Sequence, residues 1–339
     1  MISTRENSNN KNHNFHDELL NIPKYDPHIH FEGSVTEDLL IKICSLNKLN
    51  PNTGVNIKGQ IFSPPHFGVF ENFFDFAGTF LKIVEISKTE GDFKLIAENF
   101  CRQLKFNNVI SCTSYFTPTN FYLFQRNISQ VLGYLKVAQD IIESSGININ
   151  WIFDIVTVKP EISDLTLQSA IEAKSLGINI KYIGVAGPEK EKVPDQILNT
   201  LREAENYNFE IIPHCGERPE SERRIGTRLI REFMDKIPIK RIGHGLSAAY
   251  DKELINDIID RDIALEVSPI SNINLKLFDY DTHPIKSLID NGVKVIICSD
   301  DPGIFKSSLN ENYLALRKIG VADDVILDLA KKSLNYIEL

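Results

Sequence analysis

The chain has 339 residues, of which 42% are hydrophobic, and 37 Lys and Arg against 46 Asp and Glu give a net charge of −9. This length fits one α/β barrel, and the acidic balance argues against a general nucleic-acid or anionic-membrane binder. No apolar run reaches the length of a membrane span or of a secretion signal, and the five scattered cysteines contain no C-x-x-C pair, so we predict a cytoplasmic protein with reduced thiols.

The first 20 residues are polar and Asn-rich. We predict that residues 1–20 form a flexible tail and that residues 21–339 form a single barrel domain. His13 and His16 fall in this tail, and we interpret both as solvated side chains rather than ligands.

Short β-branched runs recur beyond the tail, separated by stretches with helical spacing such as 161–177 and 190–207. Several runs are almost continuously apolar, as expected of parallel strands covered by helices. Eight alternating units predict an α/β fold, a (β/α)8 TIM barrel, whose active site lies at the C-terminal ends of its strands. The predicted strands are residues 25–31, 108–116, 149–158, 179–186, 209–217, 241–245, 263–269 and 294–300.

The stretch from Glu32 to Asn107 is too long for a loop and predicts extra helices inserted after the first strand. Ser34 and Glu37 have the spacing of a capping box, which predicts a helix beginning there. The aromatic run "SPPHFGVFENFFDFAGTF" predicts a lid over the pocket, although we expect most of its phenylalanines to pack in the core.

Polar side chains stand where several predicted strands end. Because the C-terminal ends of parallel strands meet at one mouth of a barrel, we expect these side chains to converge. Taken singly, each has another interpretation: "RIGHG" is also typical of a turn, and Asp301-Pro302 of a helix start. The residues are His28, His30, His214, Glu217, His244, Asp300 and Asp301.

Three histidines and one aspartate in this group match the ligand preferences of a divalent metal. Imidazole nitrogen and carboxylate oxygen suit zinc, with iron, cobalt and nickel as competitors. Bound zinc lowers the pKa of water from about 15.7 to about 7, which provides hydroxide for a hydrolase. His244 is placed to support that water, and Glu217 to exchange protons with a substrate. The predicted metal ligands are His28, His30, His214 and Asp300.

With these residues assembled, the chain resembles the adenosine deaminase family of metal-dependent hydrolases, which includes adenosine and adenine deaminases. The H-x-E and P-C-x-x-C signature of cytidine-type deaminases is absent. The matching motifs occur in the family's order over residues 23–313. They are "PKYDPHIHFEGSV", "GVAGPEK", "HCGE", "RIGHG", "LEVSPISN" and "CSDDPGIFKSSLNENY".

The resemblance implies a role for each matching residue. One zinc ion per chain would be bound by the four ligands above. Glu217 matches the residue that protonates purine N1, and His244 the histidine that orients the hydroxide. Asp301 matches the carboxylate that hydrogen-bonds N7, and Gly184 the backbone N–H that meets N3. His30 and Glu32 are the remaining residues that the resemblance places in contact with the substrate.

The substrate is the open point of the resemblance. Glu32 replaces the usual Asp of adenosine deaminases and looks like the adenine deaminase branch. Gly243, the Ala-Gly pair of "GVAGPEK", the absence of Asp before Pro118 and the "DDPGIFKSSLNENY" motif favour the nucleoside branch. The leading expectation is therefore deamination of adenosine or deoxyadenosine, with the small purine as the only predicted partner and the oligomeric state open.

Four alternatives remain from the sequence. The first two are deamination of free adenine and deamination of an adenosine monophosphate, whose phosphate would need Lys24, Lys58 or Arg218. The third is ester or amide hydrolysis by the same kind of site, which two metal ions per chain would favour. The last, remote alternative is a non-catalytic purine-binding protein.

Overall fold

Eight parallel strands form a ring in the structure, a computed structural model that describes residues 15–337. The ring closes where the Asp300 N–H donates to the His28 carbonyl (2.9 Å) and the His30 N–H donates to the Asp300 carbonyl (2.8 Å). The predicted (β/α)8 barrel is confirmed. Its strands are β1 (Lys24–His30), β4 (Val109–Phe116), β5 (Asn148–Val156), β6 (Ile180–Ala186), β7 (Glu210–Cys215), β8 (Arg241–His244), β9 (Ala264–Val267) and β10 (Lys294–Ile297).

Helices pack around this ring, and the predicted segments 161–177 and 190–207 correspond to two of them, α7 and α8. The helices are α1 (residues 15–21, as described), α2 (Glu37–Leu46), α3 (Phe73–Ile86), α4 (Glu90–Phe106), α5 (Pro118–Leu123), α6 (Ile128–Ser144), α7 (Ser163–Ser175), α8 (Asp195–Asn206), α9 (Arg223–Lys236), α10 (Lys252–Asp260), α11 (Pro269–Asn274), α12 (Ile285–Asp290), α13 (Leu309–Ile319) and α14 (Asp323–Lys332).

Alternating residues of the strands divide the apolar interior into two parts. On β5, Trp151 and Phe153 belong to the large core between strands and helices. Ile152 belongs instead to a small cluster with Tyr115, Tyr182 and Ile212 from neighbouring strands. Because successive side chains of a strand point to opposite faces, this second cluster fills the inside of the barrel.

The strands that carry the candidate site end earlier than predicted. β7 stops at Cys215 because Gly216 has a φ of +76°, and Asp300, beyond the end of β10, has a φ of +61°. Both values lie in the left-handed region, outside the range of a strand. Glu217, Asp300 and Asp301 therefore lie on the loops at the mouth, whereas His214 lies on β7.

The insertion after β1 contains α2, α3 and α4, as predicted, together with a short hairpin of β2 (Asn56–Ile57) and β3 (Gln60–Ile61) that was not predicted. The capping box at Ser34 is wrong: a 3₁₀ turn occupies residues 32–34, and the Ser34 hydroxyl donates to the Phe31 carbonyl (2.7 Å). The cap of α2 is Thr36, whose Oγ1 accepts from the Leu39 N–H (3.4 Å).

Most phenylalanines of the aromatic run contact the core, as expected: Phe67, Phe76 and Phe80 pack against it and are partly buried. Phe70 is buried, whereas Phe74 is 58% exposed. Phe80 brings the insertion to the mouth of the barrel, with its ring centroid 6.1 Å from that of His30. The role of this segment as a lid stays a prediction.

The prediction of a flexible tail is wrong for residues 15–20, which lie in α1. Phe15 and Leu19, spaced one helical turn apart, are 5% and 0% exposed, so burial of this apolar pair holds the helix on the core. His16 is exposed, and residues 1–14 with His13 lie outside the described residues. Among residues 15–337, no helix is long and apolar enough to cross a membrane, and all five cysteines of the chain are unpaired and buried.

Candidate active site

The predicted polar residues converge at the C-terminal mouth of the barrel. The ring centroid of His28 lies 5.4 Å from that of His30, 4.5 Å from that of His214 and 5.3 Å from that of His244. The four histidines come from β1, β7 and β8, and Asp300 joins them beyond β10. The barrel topology therefore assembles residues that are up to 272 positions apart, as Asp300 and His28 are.

The spacing of the ligand atoms suits a single ion. Asp300 Oδ1 lies 3.6 Å from His28 Nε2 and 3.4 Å from His30 Nε2, and His30 Nε2 lies 3.4 Å from His214 Nε2. Two atoms that each bind a tetrahedral zinc ion at about 2.1 Å are separated by about 3.4 Å. His28 Nε2 is buried without a hydrogen-bond partner in the described part of the chain. This donor set therefore fits a zinc-type ion.

A second layer of hydrogen bonds orients two of these histidines, His28 and His214. His28 Nδ1 lies 3.0 Å from Glu266 Oε2, and His214 Nδ1 lies 3.0 Å from the Val185 carbonyl. If each Nδ1–H donates to that oxygen, Nε2 is left with its lone pair for a metal. Burial holds the pKa values of His28 and His214 well below the usual range, which favours neutral imidazole, the ligand form.

Two members of this layer were missed by sequence reasoning. Glu266 is fully buried, and its carboxylate forms an ion pair with Arg241 Nη1 (2.9 Å) and accepts a hydrogen bond from the Tyr115 hydroxyl (3.2 Å). Glu266 lies between the apolar residues Leu265 and Val267 of β9, and the buried Arg241 is the first residue of β8. A charged residue at an inward position of a buried strand is the signal that could have found them.

Two of the candidate site residues have an unfavourable backbone conformation. His244 has a φ of +64° and Asp300 a φ of +61°, a conformation that is unfavourable for residues other than glycine. A β-carbon on Gly243 would lie 3.0 Å from His28 Cε1 and 3.3 Å from the α-carbon of His214. The backbone at this strand end is therefore shaped around the histidine cluster.

The candidate acid Glu217 lies next to His244, with 3.5 Å between Glu217 Oε1 and His244 Nδ1. The Asn272 side-chain amide donates to Glu217 Oε1 (2.7 Å), and its oxygen lies 3.3 Å from His283 Nε2. Burial raises the pKa of Glu217 well above the usual range, with further contributions from Asp300 and Glu189, whereas the Asn272 hydrogen bond lowers it. This environment favours the protonated carboxyl group, which is the form that can act as an acid.

Asn272 and His283 were not identified as site residues from the sequence. Asn272 is the last residue of the "LEVSPISN" motif and is fully buried. Its amide also lies 3.4 Å from His244 Nδ1, so one side chain contacts both candidate catalytic residues.

Carboxyl groups dominate the substrate side predicted from the family. Glu32 Oε1 accepts from the Thr117 N–H (3.1 Å), and burial raises its pKa to about 7. Asp301 is 3% exposed, and a β-carbon on Gly33 would lie 1.8 Å from Asp301 Oδ1, so this contact requires glycine. Gly184 lies on β6, opposite Asp154 of β5.

Asp154 is a further buried carboxyl group that sequence reasoning missed. It is 0% exposed, and burial raises its pKa well above the usual range, with Glu32 and Asp300 adding to the effect. Its signal in the sequence is the single charge in the apolar run "WIFDIV".

A parallel eight-stranded barrel with a histidine–aspartate cluster at its C-terminal mouth is typical of metal-dependent hydrolases. The model of the adenosine deaminase family matches residues 23–337. The chain therefore belongs to the adenosine deaminase family and is an aminohydrolase that acts on cyclic amidines, as the resemblance implied.

Curated relatives match over nearly their whole length. An adenine deaminase of Pseudomonas putida (strain W619) is 30% identical over 330 residues, which cover 94% of this chain and 98% of the relative. An adenine deaminase of Stutzerimonas stutzeri is 28% identical with the same coverage.

Solved structures share the fold at lower identity. The adenine deaminase of Arthrobacter aurescens superposes with a TM-score of 0.72 at 17% identity, covering 92% of this chain and 99% of that chain. The N6-methyl-AMP deaminase of Arabidopsis thaliana gives 0.73 at 20% identity, with 94% and 93% coverage. An amidohydrolase of Burkholderia ambifaria with bound zinc gives 0.74 at 17% identity, with 94% and 86% coverage.

Proposed function

We propose that this protein deaminates free adenine hydrolytically, giving hypoxanthine and ammonia. The observation that carries this choice is that the curated relatives matched over nearly their whole length are adenine deaminases. Glu32, the residue that pointed to this branch in the sequence, is buried at the candidate site. The nucleoside, which led the sequence-based expectation, becomes the second candidate.

One feature that favoured the nucleoside branch, Gly243, has a local explanation. Gly243 lies against His28 and His214, where a side chain would crowd the histidines. This glycine thus serves the surroundings of the proposed ligands and carries less information about the substrate. The weight of this marker for adenosine is therefore lower.

His28, His30, His214 and Asp300 are proposed to hold one zinc ion per chain. A bound zinc ion supplies a water-derived nucleophile at neutral pH. The fit rests on ligand atoms 3.4–3.6 Å apart and on the unpartnered Nε2 of His28.

The protein side of the reaction is proton transfer and positioning. Glu217, whose raised pKa favours the protonated form, gives its proton to N1, which makes C6 electron-poor as the nucleophile arrives. His244, 3.5 Å from Glu217, orients the attacking oxygen and holds its proton. Asp301 hydrogen-bonds N7 and the backbone of Gly184 lies at the N3 edge, which fixes the ring. The proton held by His244 passes to the 6-amino group, which leaves C6 as ammonia.

The nucleotide alternative is less well supported. Lys24 donates to the carbonyls of Ile22 and Asn107 at the N-terminal end of β1, away from the mouth. Lys58 is exposed in the β2–β3 turn, and Arg218 is paired with Glu189 and Glu222. Of the three side chains proposed to balance a phosphate, Lys24 and Arg218 are therefore paired with other groups, and Lys58 is exposed on its turn.

A substrate panel tests this proposal. Purified protein of measured metal content is assayed with adenine, adenosine, deoxyadenosine and their monophosphates, by absorbance and by ammonia release. We expect the highest kcat/KM for adenine. A higher value for adenosine would restore the nucleoside, and no turnover of any purine would end the deaminase proposal.

A further inference from the structure

Asp154 points into the barrel beside the candidate site. Ile152, two residues earlier on β5, lies in the small cluster inside the barrel, and the intervening Phe153 lies in the outer core. The period of a strand therefore aims Asp154 inward, one layer nearer the mouth than Ile152.

The carboxyl group is located by its neighbours. Asp154 pairs with Gly184 in the sheet, and Asp154 Oδ1 lies 2.1 Å from where a β-carbon of Gly184 would be. Tyr115 Cε1 lies 3.4 Å from the same point. Glycine at position 184 thus leaves the space into which this carboxyl group projects.

The protein itself does not satisfy this group. Asp154 is 0% exposed, and neither carboxyl oxygen has a hydrogen-bond partner within residues 15–337. The charges that act on it, from Glu32 and Asp300, are also carboxylates and offer it no ion pair. Burial of a polar group without a partner is costly, so such a group in a site calls for a ligand that provides one.

We propose that Asp154 is a specificity-determining residue that accepts a hydrogen bond from an N–H of the purine next to N3. This rests on the proposed function, which puts N3 at Gly184. On a purine, the groups that flank N3 are N9 and the substituent at C2. A free base carries N–H at N9, whereas a nucleoside carries a sugar there, and a 2-aminopurine carries N–H at C2.

This placement gives adenine deamination a physical basis for rejecting 9-substituted purines. A group on N9 removes the donor and leaves the Asp154 oxygens unpaired in the complex, and sites built to bond an N–H reject analogues that lack it. At least one carboxyl oxygen can accept in either protonation state of the group, so the preference does not depend on its charge.

The test compares adenine with 9-methyladenine, which differs only at N9, and adds 2,6-diaminopurine. In the wild type we expect kcat/KM for 9-methyladenine to be at least about 10-fold lower than for adenine. Asp154→Ala should lower kcat/KM for adenine by about 10-fold to 100-fold and that for 9-methyladenine by less than about threefold. Asp154→Asn, which keeps the side-chain volume and one acceptor oxygen, should lower kcat/KM for adenine less than Asp154→Ala does.

Binding and stability provide a second readout. Removal of a buried, unpaired carboxyl group should leave the melting temperature of the ligand-free protein unchanged or raised, while hypoxanthine should raise it less in Asp154→Ala than in the wild type. Asp140→Ala, which removes an exposed aspartate of α6, is the matched control. It should change neither the melting temperature of the ligand-free protein nor the increase that hypoxanthine causes.

The outcomes separate this inference from the proposed function. A preference for 2,6-diaminopurine that Asp154→Ala abolishes would support the same contact at C2 instead of N9. An active wild type with an unchanged adenine to 9-methyladenine ratio in Asp154→Ala would overturn this inference and leave adenine deamination standing. A second metal ion per chain that is lost in Asp154→Ala would also overturn it, and an inactive wild type would overturn both.

Discussion

The two sides of the barrel mouth differ in how their polar groups are satisfied. On the histidine side, His28 and His214 each have Nδ1 within hydrogen-bond distance of a protein oxygen and direct Nε2 to a shared point. On the carboxyl side, Glu32, Asp154 and Asp301 each keep at least one oxygen without a partner in the described residues. The fold therefore preorganises the proposed metal ligands and leaves the proposed substrate side with carboxyl oxygens that a ligand can partner.

The largest effect is expected for the candidate acid, which lies between the two sides. Glu217→Gln should lower kcat by about 10²-fold to 10⁴-fold while bound metal stays unchanged, because the amide cannot give a proton to N1. Steady-state kinetics with metal analysis on the same samples measures this. Glu220→Gln, at an exposed neighbouring glutamate, is the control, and unchanged turnover in Glu217→Gln would refute the acid role.

A smaller effect is expected for Glu266, which contacts His28 on the side away from the proposed metal. Glu266→Gln removes the charge that lies 3.0 Å from His28 Nδ1 and should weaken metal binding by about 10-fold to 100-fold. Competition with a chelator measures the affinity, with Glu210→Gln at the outer end of β7 as the control. Equal metal affinity in the wild type and in Glu266→Gln would show that metal binding does not depend on the contact between Glu266 and His28.

Loss of the Asn272 amide tests whether Glu217 is held in place. Asn272→Ala should lower kcat by about 10-fold to 100-fold with a smaller change in KM. Because the Asn272 hydrogen bond lowers the pKa of Glu217, its removal should move the alkaline limb of the pH–rate profile to higher pH. Asn291→Ala, at an exposed site, is the control; a profile that does not move would assign Asn272 a merely structural role.

The smallest effect concerns stability in acid. Burial, with His244 nearby, lowers the pKa of His283 from 6.5 to about 3. Below pH 6.5, His283 binds a proton in the unfolded chain but not in the folded chain. The free energy of unfolding therefore falls as the pH falls from 6.5 towards 3, by up to about 1.4 kcal/mol per pH unit.

His283→Asn cannot titrate and should lose less stability over that range. Denaturant unfolding of both proteins between pH 7 and pH 4 measures the difference. Parallel pH dependences in the two proteins would contradict the low pKa of His283.

The barrel and the histidine cluster could be predicted because their signals are local in sequence. Apolar runs separated by helical spacing gave the strands, and the end of each strand placed His28, His214, His244 and Asp300 at one mouth. The topology, not any feature of one motif, then brings distant residues together.

The remaining site residues depend on contacts that sequence spacing does not encode. Glu266, Asn272 and Asp154 are single polar residues in apolar surroundings, and only the closed barrel shows which atoms they face. Helix α1 was missed for a similar reason. Its apolar residues Phe15 and Leu19 stand in a polar stretch, and only the folded structure shows that they pack on the core.

Metal titration with activity as the readout tests the central claim most directly. The protein is stripped with a chelator, and zinc is added back in fractions of one equivalent while adenine deamination and bound metal are measured. We expect activity to rise linearly and to reach its maximum at one ion per chain. Activity that persists without metal, or that needs a second ion, would contradict it.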